Sequence, residues 1–411
     1  MIRINEVEVN KMRKAIQISE NIYWVGVHDF NCRHFHGDLY PINEGTSYNA
    51  YLIVDEQVTL IDTVENEYIP ILLERIESVI GNRPIDNIIV QHAEPDHSGG
   101  FLEVMERYPN AKAYASNAGI RIMMQEYFKE ISYTKVVTND TLCTGKYHLR
   151  FIEMPMIHWP DNMMTYVEES HALFSNDAFG QHIVSYQLFD QAHEMNFCIE
   201  KAKEYFANIV APYALQVKNK LNQIMQMNLE IETIAPAHGI IWKAYIPEIL
   251  KAYQNFSAIQ LKNKAVILYE SVWHHTKEMA ETLAEGLGQN GVEVHLYQVS
   301  STMDSIMMKE LLDAKAILVG SGNYNNMMAP QIAGILEKLS SCKFKNRLAL
   351  GFSSYGWANL VGEQINQKLK ANQYEIIQDS FNINYAPSTS DLEEVYHLGE
   401  TIALKIKESL Q

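Results

Sequence analysis

One short stretch, Gln91-His92-Ala93-Glu94-Pro95-Asp96-His97-Ser98-Gly99-Gly100, constrains this chain more than any other. It packs four potential metal ligands, His92, Glu94, Asp96 and His97, directly after the apolar, β-branched run Ile85 to Val90. The helix-like Phe101-Leu102-Glu103-Val104-Met105 follows at once. The spacing therefore predicts a strand, a turn and a helix. Residues two apart in an extended segment point the same way, so His92 and Glu94 can converge on one cation. Asp96 and His97, beyond the proline, turn towards a second. Ligand types packed this tightly after a strand set the stretch apart from a solvated polar loop.

Three later segments repeat the design of an apolar strand that ends in a ligand type. Leu149 to Ile157 leads into His158-Trp159-Pro160-Asp161, and Ala172 to Asn176 leads into Asp177. Ile231 to Ile234 leads, past Pro236, into His238-Gly239. Ligands at successive strand ends can converge on one edge of a sheet sandwich. Upstream, Asn21 to Val27 reads as a first strand, and Tyr48–Val54 with Val58–Ile61 as a hairpin closed by Asp55-Glu56-Gln57. Tyr68 to Ile80 has helical spacing and is stopped by Gly81-Asn82-Arg83-Pro84.

A second pattern begins near Phe256-Ser257-Ala258-Ile259-Gln260. The buried-strand run Lys264–Glu270 precedes the loop Ser271-Val272-Trp273-His274-His275-Thr276 and a helix from Lys277 to Leu287. Unpaired N–H groups and the helix dipole make such a loop an anion site. After the strand Glu293–Tyr297, Ala316–Gly320 exits through Ser321-Gly322-Asn323-Tyr324-Asn325-Asn326. Leu348–Phe352 exits through Ser353-Ser354-Tyr355-Gly356-Trp357. A fifth strand near Tyr374–Ile377 and a helix from Asp391 to Lys407 complete the pattern. There is no G-x-G-x-x-G, so a dinucleotide fingerprint is the wrong comparison. Loops of this kind lie on the carboxyl edge of one parallel sheet, where open α/β sheets bind flavin mononucleotide (FMN). Trp273, Tyr324, Tyr355 and Trp357 are the aromatic residues available to cover a flavin ring.

The pattern H-x-E-x-D-H resembles the signature of the metallo-β-lactamase superfamily, with Glu94 where the usual form has histidine. A carboxylate there hardens the site and shifts the expectation from zinc to iron or manganese. Combined with a downstream pattern similar to flavodoxins, the chain resembles flavodiiron proteins over nearly its whole length. That resemblance implies an α/β architecture: a metallo-β-lactamase-like αββα sandwich over residues 1–258 and a flavodoxin-like doubly wound parallel sheet over 259–411. It implies FMN and two iron ions as cofactors. One iron takes His92, Glu94 and His158, the other takes Asp96, His97 and His238, and Asp177 bridges them. His36 resembles a family histidine beside the pocket, or is a packing residue. Tyr205 resembles a pocket tyrosine. His182 belongs to the surroundings, and Asp62 either supports the metal site from behind or caps the next helix.

The implied activity is reduction of O2 to water, or of nitric oxide (NO) to nitrous oxide on the same site, with electrons from an external donor. A two-electron flavin and two one-electron irons together store the four electrons that O2 requires. The resemblance also implies a rubredoxin-like protein or a reduced deazaflavin as donor. It further implies a head-to-tail homodimer, or a dimer of dimers, in which the flavin of one subunit approaches the irons of the other. The four cysteines, Cys32, Cys143, Cys198 and Cys342, are too scattered for an attached thiolate-bound redox centre or a disulfide framework. A formal charge of −17 disfavours nucleic acid and anionic membrane. Met1-Ile2-Arg3-Ile4-Asn5-Glu6 lacks an apolar signal core and no apolar run is long enough to span a bilayer, so a cytoplasmic protein is expected. Two competitors remain: a zinc hydrolase, and an electron carrier whose N-terminal domain is structural.

Overall fold

The computed structural model describes residues 13–129 and 131–411; the polar start read in Met1–Glu6 lies outside them. The chain forms two compact units. The first comprises the described residues up to Arg33, Asn43–Ala202 and Asn219–Lys251, and the second comprises His34–Ile42, Lys203–Lys218 and Ala252–Gln411.

In the first unit, a seven-stranded sheet runs in the order of β1 (Ile16–Ser19), β2 (Ile22–Trp24), β3 (Tyr51–Val54), β4 (Val58–Ile61), β5 (Asn87–Val90), β6 (Lys112–Ala115) and β7 (Tyr133–Lys135). Pairing is antiparallel as far as β4 and parallel from there to β7. A second sheet of five strands contains β8 (Thr141–Cys143), β9 (His148–Glu153), β10 (Met163–Val167), β11 (Ala172–Asn176) and β12 (Thr233–Pro236). Its first three pairings are antiparallel and the last, β11 with β12, is parallel. The sheets face each other through one core, with Trp24, Tyr51, Ile61 and Ile89 from the first meeting Phe151, Met163, Phe174 and Ala235 from the second.

This topology places the ligands. Strands β9 and β11 flank the antiparallel β10 and so run the same way, and β12 runs parallel to β11. The chain therefore leaves β9, β11 and β12 at one edge, carrying His158, Asp177 and His238. The backbone N–H of Met163, at the start of β10, donates to the Gln91 carbonyl at 3.0 Å, joining that edge to the end of β5. The helix α1 (Ile69–Ile80) carries Pro70 in its first turn and buries Ile69, Leu72, Ile76 and Ile80. Beyond β5 the chain makes one short turn of helix, α2 (Pro95–Ser98), and then α3 (Phe101–Arg107).

The single strand expected over 21–27 is interrupted. β2 ends at Trp24 after pairing with an earlier strand, β1, and Val27–Asp29 pairs instead with Thr46–Tyr48. Gly26 sits at the break, where any side chain would collide with the Tyr48 carbonyl.

In the second unit, six parallel-paired strands form one sheet: β13 (Lys262–Glu270), β14 (Glu293–Gln298), β15 (Ala314–Gly322), β16 (Leu348–Tyr355), β17 (Glu375–Ile376) and β18 (Phe381–Asn384). Their spatial order is β14-β13-β15-β16, with both β17 and β18 pairing β16. This is a doubly wound order whose reversal lies between β13 and β15. The expected fifth strand thus has a second part, β18, after the polar break Gln378-Asp379-Ser380. The helices α4 (His275–Gln289) and α5 (Thr389–Glu408) cross at Gly286 and Gly399, whose missing side chains let the backbones touch. A Cβ at Gly286 would collide with the Tyr396 carbonyl. Gly286→Ala is expected to destabilise this unit by about 1–3 kcal/mol through overpacking, measured as an earlier urea midpoint.

Candidate functional site

All seven expected ligands meet in the first unit. His92 Nε2 lies 3.1 Å from Glu94 Oε2. His158 Nε2 lies 3.3 Å from the same oxygen and 3.4 Å from Asp177 Oδ2. On the other side, His97 Nε2 lies 3.3 Å from Asp96 Oδ1 and 3.1 Å from Asp177 Oδ1. His238 Nε2 lies 3.3 Å from Asp96 Oδ2 and 3.6 Å from Asp177 Oδ1. Asp177 therefore turns one oxygen to each cluster. Each cluster is two imidazoles and one carboxylate, the donor set of non-haem iron sites with open positions.

The spacing fits a metal. An ion about 2.1 Å from each of its ligands holds neighbouring donors about 3–3.5 Å apart. Asp96 adds a second test: both its oxygens are buried without a well-directed hydrogen bond, although histidine nitrogens stand nearby. Electrostatics agree. Burial works against the imidazolium of His92, yet Asp161, Glu94 and Asp177 hold its pKa up at about 10. The same contest leaves His97 at about 9, through Asp96 and Asp177, and His158 at about 10, through Asp177 and Glu94. Burial would raise Asp177, but His97 and His158 hold it well below the usual carboxylate range. The site demands positive charge, which bound cations would supply.

A ring of buried groups fixes the ligands. Asp161 Oδ2 accepts the Ala93 N–H at 2.7 Å and stands 3.1 Å from His92 Nδ1, which aims Nε2 at Glu94. The Ser47 carbonyl lies 2.7 Å from His238 Nδ1 and acts in the same way. Asp62 supports the site and caps no helix. Its Oδ1 accepts the Gln91 N–H at 2.7 Å, and its Oδ2 accepts from the Gln91 side chain at 3.1 Å and from Asn176 at 3.3 Å. Burial pushes its pKa up to about 6, against the pull of His97 and these donors. His182 is buried, with Nδ1 2.9 Å from Thr46 Oγ1 and its ring 5.6 Å from that of His238. His36 and Tyr205 fall in segments of the second unit. His36 is exposed, left-handed at φ 54° and tilted against Phe35 with the ring centroids 4.5 Å apart, whereas Tyr205 is buried at the end of the helix Met195–Tyr205.

The second unit holds a cavity of about 540 Å³ at the carboxyl edge of its sheet. Val272, Trp273, His275, Gly322, Asn323, Tyr324, Asn325, Asn326, Ser354, Tyr355, Gly356 and Trp357 line it, as the exit-loop reading expects. Four expected residues lie back from the wall. Ser271 borders a smaller neighbouring cavity, His274 takes the left-handed position before α4, Thr276 Oγ1 bonds Ser354 Oγ at 2.8 Å, and Ser321 Oγ accepts from Ala329 N. Tyr385 also lines the cavity and was not anticipated. It directly follows β18, so reading that strand would have found it by the same exit-loop rule. Asn325 and Asn326, both left-handed, close a tight turn in which Tyr324 and Met327 exchange backbone hydrogen bonds of 2.8 and 2.9 Å.

Two family models match: "ODP family beta lactamase" over residues 46–239 and "Flavodoxin" over 267–399. The chain is 38% identical over 397 residues to a nitric oxide reductase of Moorella thermoacetica, covering 96% of this chain and 100% of that protein. It is 34% identical to the anaerobic nitric oxide reductase flavorubredoxin of Aeromonas hydrophila, covering 95% of this chain and 79% of that one. Among solved structures, rubredoxin oxygen:oxidoreductase from Desulfovibrio gigas superposes with a TM-score of 0.93 at 33% identity, covering 97% of this chain and all of that one. The flavodiiron protein of Giardia intestinalis gives a TM-score of 0.93 at 27% identity over 97% and 98% of the two chains.

Asp62→Asn sets an amide among donors that the carboxylate accepts, and is expected to speed iron loss to a chelator about tenfold. Its pH signature follows from the sign of the shift. The folded pKa of about 6 exceeds the unfolded carboxylate value, so folding takes up a proton and this group's contribution to stability rises as pH falls through 6. Urea midpoints should therefore move in favour of the wild type, relative to the variant, by about 1 kcal/mol between pH 7 and pH 5.

Proposed function

Because the chain belongs to the flavodiiron protein family, we propose that it passes electrons from an external donor through FMN to a diiron centre that reduces O2 to water. The observation that carries this reading is the pair of two-histidine, one-carboxylate clusters joined by Asp177. The cofactors are FMN and two iron ions. His92, Glu94 and His158 would hold one iron, Asp96, His97 and His238 the other, and Asp177 both. When bound, the irons supply two adjacent one-electron centres with open positions, and the flavin supplies a two-electron store.

The chain's own residues prepare the chemistry. Asp161 and the Ser47 carbonyl fix the ring orientation of His92 and His238, so that each Nε2 faces the cluster. Burial of His92, His97, Asp177 and His238 keeps bulk water from the ligands, while the partly exposed Glu94 and Asp96 side chains, 13% and 11%, mark the accessible side. In the second unit, the aromatic wall of Trp273, Tyr324, Tyr355, Trp357 and Tyr385 would cover the flavin ring, and the loop before α4 would take its phosphate.

Nitric oxide is the alternative substrate, supported by the name of the Moorella thermoacetica relative and by two neighbouring donor clusters that share Asp177. A rubredoxin-like protein is the favoured donor, in line with the name of the Desulfovibrio gigas neighbour, with a reduced deazaflavin as the other candidate. We place the protein in the cytoplasm as a head-to-tail homodimer, with a dimer of dimers as a larger assembly. No helix among the described residues is long and apolar enough to cross a membrane.

The test is to reduce the protein fully without air, mix it with O2 or NO separately, and follow flavin reoxidation. Faster reoxidation by O2 supports the main reading, faster reoxidation by NO moves the alternative to first place, and similar rates mean a dual reductase. Asp177→Ala should lower turnover by more than about 100-fold with FMN still bound. If neither gas outpaces the oxidation of free flavin, the reading fails and a zinc hydrolase takes its place.

A further inference from the structure

The two clusters are anchored differently, and the difference singles out a residue with no ligand role. His238 arrives on a loop from β12, while Asp177 starts the loop after β11. The first cross-link between these loops is the Ala237 N–H donating to the Asn176 carbonyl at 2.7 Å. Beside His238 the next ones run through Gln181, which is wholly buried; farther along, the Trp242 indole N–H donates to the Phe179 carbonyl at 2.9 Å and the Ile241 N–H to the Leu188 carbonyl at 2.7 Å. The Gln181 backbone N–H donates to the His238 carbonyl at 3.3 Å. Its side-chain oxygen accepts the Ile240 N–H at 2.7 Å, and its amide nitrogen donates to the Ile240 carbonyl at 3.2 Å and to the Phe179 carbonyl at 3.0 Å. Gly239, between the ligand and Ile240, has φ +81°, and any side chain there would collide with this same amide. Gln181 thus grips the bridging ligand's loop and the His238 loop at once.

The opposite cluster has its own clamp. Asn162 Oδ1 accepts the Trp159 N–H, next to His158, at 2.6 Å, and its nitrogen donates to Asn176 Oδ1 at 2.8 Å. Gln181 has no part in that bonding.

We propose that Gln181 is a positioning residue that holds His238 at its distance from the bridging carboxylate, and so governs metal retention at the Asp96–His97–His238 side alone. This rests on the diiron reading above. Loss of the clamp leaves the Ile240 N–H and carbonyl to find other partners in a buried place, a need the loop meets by moving, while the Phe179 carbonyl keeps the Trp242 indole N–H. The His92–Glu94–His158 side keeps its supports, Asp161 and Asn162.

The test uses full-length protein carrying FMN, loaded with ferrous iron without air and challenged with a strong ferrous chelator. Iron per FMN is followed in time, and the remaining ion is located by anomalous scattering. Gln181→Met, similar in length but without the amide, should lose one iron about 10–100-fold faster than the wild type, leaving the other between His92, Glu94 and His158. Gln181→Glu keeps an acceptor for the Ile240 N–H and should fall between the two. Retention of both irons at the wild-type rate, or loss of both in step, would overturn the proposal. If Gln181→Met does not fold, the Gln181→Glu protein decides by the same asymmetry. A wild-type protein that does not take up two irons sinks the diiron reading itself, and this inference with it.

Discussion

The first unit is arranged around one buried carboxylate that has to be neutralised. Asp177 is 1% exposed, and a charge taken so far from water is costly unless compensated at close range. Its two oxygens stand 3.1–3.6 Å from the Nε2 atoms of four histidines, two on each side. Those histidines come from the ends of β5, β9 and β12 and from α2, so a charge requirement at one point fixes which strand ends must be neighbours. The mixed pairing of the second sheet follows from this need. A purely antiparallel order would send β12 the opposite way to β11 and deliver His238 to the far edge.

Much of this arrangement was legible because it is local. Four ligands lie within His92–His97, and the other three follow the same rule of a strand ending in a ligand, which periodicity can find one strand at a time. What holds them was legible only where the family resemblance offered it, at Asp62, and there only as one of two readings; the partners themselves were not. Asp161 closes the stretch His158-Trp159-Pro160-Asp161, but its bond to His92 joins residues 69 positions apart. Asp62 meets Gln91 across 29 positions, and Gln181 meets Ile240 across 59. Such pairs have no spacing that one sequence can display, and their residue types, Asp, Asn and Gln, are also those of ordinary turns. Both strand misreadings, the break at Gly26 and the separate strand β18, come from close backbone approach and from edge pairing, which side-chain alternation does not encode.

The flavodoxin-like unit was easier to read because its function lies in loops whose positions the fold dictates. Once β13, β15 and β16 are placed in one parallel sheet, their exits must share an edge. The cavity there collects residues from each exit loop. Gly322, where flavodoxin-like loops often carry proline, ends β15 with ordinary clearance around a notional side chain, so the residue type does not set the shape of the loop. The left-handed Asn325 and Asn326 set it instead.

On the diiron reading, Glu94 is the residue that would separate redox chemistry from hydrolysis, and it would do so through charge. Two divalent ions facing Glu94, Asp96 and Asp177 leave a net charge of one in a site that is almost dry. With histidine at position 94, the same ions would leave two. A hydrolytic centre gains from the larger positive charge, because it polarises a carbonyl and acidifies a bound water more strongly. A centre that must pass to a higher oxidation state gains from the smaller one, because each electron given up adds a positive charge that the low-dielectric surroundings resist. Glu94 Oε2 lies between His92 and His158, at 3.1 and 3.3 Å, and so belongs to the donor set as fully as the imidazoles do. Each half of the site then carries one carboxylate of its own and a share of Asp177, so the two ions would meet the same ligand charge. Balance of that kind suits two metals that give up electrons together.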